Sequence, residues 1–123
     1  MSKKVLVVDD SVSIREVITF TLENAGFTVL AAEDAKTALK LLDVNLVDLI
    51  ITDLYMPEMD GIELIKNIKL KENFGKVPVL FLSTESQMNK KMEAKEAGAT
   101  GWIIKPFVPA KLLAAINKVL EIS

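Results

Sequence analysis

The chain has 123 residues, half of them apolar, and its 15 Lys+Arg against 17 Asp+Glu give a formal charge of −2. That length suits a single domain over 1–123 with a substantial core of its own, and the near-neutral balance argues against a dedicated electrostatic nucleic-acid binder. Cysteine and histidine are both absent, which excludes disulfides, thiolate and Ser-His-Asp catalysis and imidazole or thiolate metal sites, so any chemistry falls to carboxylates, hydroxyls and amines.

Met1-Ser2-Lys3-Lys4 is basic, but the apolar run Val5 to Val8 stops at once on Asp9-Asp10. The run is too short for a signal peptide or a membrane helix, so a cytoplasmic protein without a membrane partner is expected. Ile14, Val17, Ile18, Thr21, Leu22 and Ala25 then fall on one helical face, closed by Ala25-Gly26, and Thr28-Val29-Leu30 is a short strand candidate. Asp34 is placed to cap a second helix with Ala35, Ala38, Leu39 and Leu42 inward. Val47 to Ile51 is a third apolar run. Beyond the Asp60-Gly61 turn, Ile62, Ile65 and Ile68-Lys69 keep helical spacing, and Val79 to Leu82 supplies the fourth run. The helix expected from about Gln87 to Ala97 is thin in apolar residues, mainly Met88, Met92 and Ala94. Trp102 to Ile104 and an amphipathic stretch with Leu112, Leu113, Ile116, Val119 and Leu120 complete the series.

Continuous rather than alternating runs are how strands read when both faces are covered, as in a parallel sheet. Strand alternating with helix, five times, predicts an α/β domain with right-handed crossovers. Met1 reads as a native start and Ile122-Ser123 as a native end, without linker, repeat or low-complexity tract between them.

The polar residues interrupt these runs at particular places. The first strand ends in Asp9-Asp10, the third in Asp53, the fourth in Ser83-Thr84 and the last in Lys105-Pro106. In an open parallel sheet the carboxyl ends share one edge, where ligand crevices form. Two carboxylates about 5 Å apart repel by roughly 3 kcal/mol at an effective dielectric near 20. Either one of them stays protonated or a hard divalent cation sits among them, and an oxygen-only donor set favours Mg²⁺ or Mn²⁺ over zinc. Taken singly, each group has an ordinary reading: Asp10 or Ser83-Thr84 as a helix cap, Asp53 and Lys105 as loop residues, Pro57 and Asp60-Gly61 as turn chemistry. Their coincidence at the strand ends makes a complete set for handling a phosphoryl group.

From Lys4 to Leu120 the pattern resembles the receiver domain of two-component response regulators. The resemblance is carried by Val7-Val8-Asp9-Asp10-Ser11, Asp53-Leu54-Tyr55-Met56-Pro57-Glu58-Met59-Asp60-Gly61, Ser83-Thr84-Glu85, and Gly98-Ala99-Thr100-Gly101-Trp102-Ile103-Ile104-Lys105-Pro106-Phe107. It implies a flavodoxin-like, doubly wound sheet of five parallel strands in order 2-1-3-4-5. It further implies Asp53 as phospho-acceptor from a histidine kinase, and Mg²⁺ bound by Asp10, Asp53 and the backbone carbonyl of Tyr55, with Asp9 acting through water. Lys105 and the Ser83 hydroxyl would hold the phosphoryl oxygens, Trp102 would occupy the aromatic switch position, and the peptide bond before Pro106 would be cis. Tyr55 and Glu85, flanking the line of the hydrolytic water, are expected to set the acyl-phosphate lifetime. Ser83 stands where Thr is more frequent, Tyr55 is bulky where a small polar residue is common, and Val108 precedes Pro109 where a capping residue would give the last helix a firmer start.

The lack of an output domain, with Thr84-Glu85-Ser86 and Gly101 to Lys105, most resembles stand-alone chemotaxis regulators of the CheY type. That implies a non-enzyme signalling protein read by a partner at the face of the fourth helix, fifth strand and fifth helix, such as the flagellar motor switch. A phosphate sink or phosphorelay receiver without a motor target is the nearest alternative. An aspartyl-phosphate phosphatase would need a second Asp two residues after its first-strand nucleophile, where Val12 stands after Asp10. A flavin carrier would need a phosphate loop where Asp9-Asp10 would repel the phosphate.

Overall fold

The computed structural model describes residues 3–84 and 89–121. Among them β1 (Lys4–Val8), β2 (Thr28–Ala32), β3 (Leu49–Asp53), β4 (Val79–Thr84) and β5 (Gly101–Lys105) alternate with α1 (Val12–Asn24), α2 (Ala35–Val44), α3 (Gly61–Leu70), α4 (Lys91–Ala97) and α5 (Pro109–Glu121). The strands are all parallel, in the order β2-β1-β3-β4-β5. This is the doubly wound arrangement expected, and the order reverses between β1 and β3.

The apolar runs are continuous because successive residues face opposite sides of the sheet, and both sides are covered. Leu6, Val8, Ile50, Val79 and Phe81 pack with α2, α3 and Ala94 of α4 on one side. Val5, Val7, Leu49, Ile51, Leu80 and Leu82 pack with Ile18 and Leu22 of α1 and Leu112, Ile116 and Val119 of α5 on the other. β3 is buried along its whole length, so the central strand and its terminal Asp53 sit deep between the two layers.

Local chemistry sets the helix starts. Ser11 Oγ accepts from the Ile14 N–H, Asp34 Oδ1 from Thr37 N–H and Asp60 Oδ1 from Glu63 N–H, capping α1, α2 and α3. The cap of α1 is therefore Ser11, not Asp10, which leaves the Asp10 carboxylate for other work. Ser83 and Thr84 lie within β4, and α4 follows Lys90 without a side-chain cap. α5 likewise starts without one, its Val108 carbonyl accepting from the N–H groups of Lys111 and Leu112.

Two helix expectations change. α4 begins at Lys91 after a single 3₁₀ turn, later than the expected Gln87, and Gln87, Met88 and Glu85 lie outside the described residues. The buried face of α1 is narrower than its periodicity suggests: Ile18 and Leu22 are buried, whereas Val17 is 49% exposed beside Phe20 at 69%. Val17 and Phe20 instead line an open groove with Pro109 and Leu113 of α5.

Candidate active site

The sheet register places the site. Val8 pairs with Thr52, so Asp9 and Asp53 leave neighbouring strands at the point where the order reverses. Asp53 pairs with Leu82, and Thr84 with Lys105, which puts Ser83 on β4 between the strands of Asp53 and Lys105. One carboxylate oxygen from each of Asp9, Asp10 and Asp53 lies within 4.8 Å of the others, with Asp9 and Asp53 buried and Asp10 exposed.

Lys105 spans the crevice. Its Nζ donates to Asp53 Oδ1 at 3.2 Å and to Asp9 Oδ2 at 3.4 Å, and the peptide bond that follows it, to Pro106, is cis. Asp53 Oδ1 also accepts from the Leu54 N–H at 2.9 Å. Both donors therefore go to one oxygen, and Oδ2 accepts no hydrogen bond among the described residues. Burial, and next the charge of Asp9, push the Asp53 carboxyl above the ordinary carboxylate range, against the opposing pull of Lys105 and the Leu54 amide. Among the described residues the crevice is thus under-neutralised, with one ammonium facing three acids. Their donor set is oxygen only, and Asp10 opens to solvent, as a hard cation that keeps water and takes a phosphate oxygen requires. The residues fit a divalent cation.

The loop leaving Asp53 is tightly tied. Leu54 N–H also donates to Leu82 O at 3.1 Å, and Gly61 N–H to Leu54 O at 2.8 Å. Gly61 has no room for a side chain, since a Cβ there would sit 2.3 Å from the Asp53 carbonyl oxygen and 2.6 Å from the Phe81 ring. Glu58 takes a left-handed φ of 71°, and Met59 N–H donates to Pro57 O across it, a tight turn uncommon for a residue with a Cβ.

Of the residues inferred from sequence, the structure brings Asp9, Asp10, Asp53 and Lys105 together. Ser83 is buried on the next strand, Tyr55 stands 45% exposed two residues past Asp53, and Trp102 lies half-buried on β5, opposite Phe81 in register. Two contributors escaped the sequence reading. Gly61 counted only as a turn residue, although a glycine opening a helix just after its cap hints at close backbone approach. Arg15, whose Nη1 donates to the Asp9 carbonyl oxygen at 2.7 Å, lies one helical turn beyond the cap Ser11.

A family model for the response regulator receiver domain matches residues 5–117. The chain belongs to the receiver family. Among curated receivers it is 38% identical to the chemotaxis protein CheY-3 of Vibrio cholerae over 119 residues, 96% of this chain and 92% of that one. Its likeness to the phosphate regulon transcriptional regulatory protein PhoB of Escherichia coli is 36% over 121 residues, which covers 98% of this receiver but 53% of PhoB. Among solved structures, the chemotaxis response regulator CheY4 of Vibrio cholerae superposes with a TM-score of 0.93 at 42% identity, covering 97% of this receiver and 99% of that chain. No helix among the described residues is long and apolar enough to cross a membrane.

Proposed function

We propose that this receiver accepts a phosphoryl group on Asp53 from a phosphohistidine of a partner histidine kinase, with Mg²⁺ as cofactor, and signals by protein contact. The observation that carries the reading is Lys105 bridging Asp53 and Asp9 while Asp53 Oδ2 accepts no hydrogen bond among the described residues. Oδ2 is the nucleophile. It attacks the phosphorus in line, the P–N bond breaks, and its electron pair returns to the imidazole, leaving an acyl phosphate on Asp53. Mg²⁺ would be held by Asp10, Asp53 and the Tyr55 carbonyl, with Asp9 acting through water, and would supply charge neutralisation for the phosphoryl oxygens. The Lys105 ammonium turns from Asp53 to a phosphoryl oxygen, and the Ser83 hydroxyl donates to another. Movement of Ser83 toward the phosphoryl group then frees space for Trp102, and the change reaches a target at the α4–β5–α5 face.

Similarity to CheY-3 over nearly full length favours a stand-alone receiver, 1–123, in the cytoplasm, acting in chemotaxis with the flagellar motor switch as target. Nucleic acid and membrane have no part in this reading. A phosphate sink or phosphorelay receiver shares the same chemistry and differs only in lacking a motor target. Intact mass after treatment with acetyl phosphate and Mg²⁺ tests the chemistry, beside an Asp53→Asn variant and a chelated sample. A gain of one phosphoryl group that needs both Asp53 and the metal is expected; no gain by the folded protein would sink the reading. Retention of motor-switch protein by the phosphorylated form alone then separates motor regulator from sink.

A further inference from the structure

We propose that Arg15 is a positioning residue for the acidic trio, fixing the peptide between Asp9 and Asp10 so that both carboxylates stand ready for a divalent cation. The inference rests on the reading of this crevice as an Mg²⁺-dependent phospho-acceptor site.

Every polar atom of Asp9 is engaged. Its N–H donates to Ala32 O at 3.2 Å, Oδ1 accepts from the Ser11 N–H at 2.8 Å, Oδ2 from Lys105 at 3.4 Å, and its carbonyl oxygen from Arg15 Nη1 at 2.7 Å. That carbonyl shares a rigid plane with the Asp10 N–H. Holding its oxygen therefore sets the rotation of the peptide from which Asp10 departs. Asp10 has no restraint of its own: it is exposed, and its carboxylate makes no hydrogen bond among the described residues. Arg15 supplies from α1 what the loop lacks.

Residue choice and position both support this. Arg15 is the chain's single arginine among 15 cationic residues, so lysine is used everywhere a plain positive charge suffices. The guanidinium is a pre-organised fork, suited to holding an oxygen at a fixed angle. It also sits in the first turns of α1, where the helix dipole disfavours a cation, and near an ion it would repel. Helix stability and bulk electrostatics both argue against a positive charge there, whereas a hydrogen bond to Asp9 requires a donor at that place.

These opposing contributions give the test a sign. Mg²⁺ alone is titrated into the full chain by calorimetry, for the parent, Arg15→Ala, Arg15→Lys and Asp53→Asn, with thermal melts of each in chelator. Positioning predicts about tenfold weaker Mg²⁺ binding in Arg15→Ala, as for partners that orient metal ligands from the second layer, with partial recovery in Arg15→Lys and a melt in chelator close to the parent's. Unchanged or tighter binding in Arg15→Ala overturns the inference, because loss of a merely electrostatic cation would favour the ion. Weaker binding with a matching loss of stability in chelator also overturns it, making Arg15 a fastening of α1 alone. If the parent binds no Mg²⁺, or Asp53→Asn binds it equally well, the metal-dependent reading itself has failed and takes this inference with it.

Discussion

Lys91 Nζ lies 5.1 Å from the centroid of the Trp102 ring, joining the first residue of α4 to the half-buried aromatic of β5. A cation so placed over an indole is worth about 0.5–1 kcal/mol at an exposed site. Lys91 sits at the positive end of its helix, so the ring face also relieves a charge that the helix alone would not favour. The position of Trp102 is thereby coupled to α4.

Trp102 is the chain's one tryptophan, which makes that coupling measurable. Replacing the lysine, as Lys91→Met, should raise acrylamide quenching of the Trp102 emission and move the emission to longer wavelength in the unphosphorylated protein. It should also remove any dependence of the emission on salt. A spectrum and quenching constant identical to the parent's would show that the ring is not held by the ammonium.

The buried acceptor gives stability a particular pH slope when no divalent cation is present. The folded protein holds the proton on Asp53 to a higher pH than the unfolded chain does. Between the two pKa values the native state binds more protons, so stability falls as pH rises from the ordinary carboxylate range, near 4, through the raised value. Asp53→Asn should flatten this part of the profile and, at neutral pH in chelator, raise the melting midpoint. Melts across that range decide the matter: a profile unchanged by the substitution would mean that the folded state bears no cost for the Asp53 charge.

Glycines at two places should respond very differently to alanine. At Gly61 the new Cβ would meet the Asp53 carbonyl oxygen and the Phe81 ring far inside contact distance, so Gly61→Ala should cost about 3 kcal/mol or more and reduce phosphorylation of the fraction that remains folded. At Gly26 a Cβ meets nothing within 4 Å and only the positive φ of 96° is strained, a cost of about 1–2 kcal/mol. Urea denaturation of both variants, with phosphorylation assayed by mass, would reveal whether the steric wall behind Asp53 is as stiff as described.

Tyr55 stands exposed beside the acceptor, where its ring would hinder a water approaching the acyl phosphate. Tyr55→Asn should shorten the acyl-phosphate lifetime on the order of tenfold, a change of about 1.4 kcal/mol in barrier. Phosphate release after removal of the donor measures it directly. An unchanged lifetime would remove Tyr55 from the hydrolytic step.

The strands and the acidic crevice were legible because a two-sided parallel sheet leaves continuous apolar runs, and the polar residues that end them share an edge by topology. Asp9, Asp53 and Lys105 could be placed together for that reason alone, 96 residues apart at the extremes. The start of α4 was not legible, since few apolar residues and no capping side chain mark it. Val17 and Ala25 kept the helical period but not the burial, because periodicity reports a face and not how far the neighbouring layer extends over it. Arg15 and Gly61 act through backbone atoms, the carbonyls of Asp9 and Asp53, and a contact to a carbonyl leaves no mark on the residue that owns it.

Leu54 is bonded to Leu82, Asp53 and Gly61 at once, and Gly61 closes the space behind, so the Asp53 carboxylate is tied inside the crevice. Its side chain is 11% exposed. In the proposed phosphoryl transfer the travel therefore belongs to the donor, whose phosphorus must be carried into the crevice on a projecting group. On that reading a small phosphodonor would diffuse in, whereas a phosphohistidine would have to project from its own surface to reach Asp53, and selection among kinases would begin with the donor's shape.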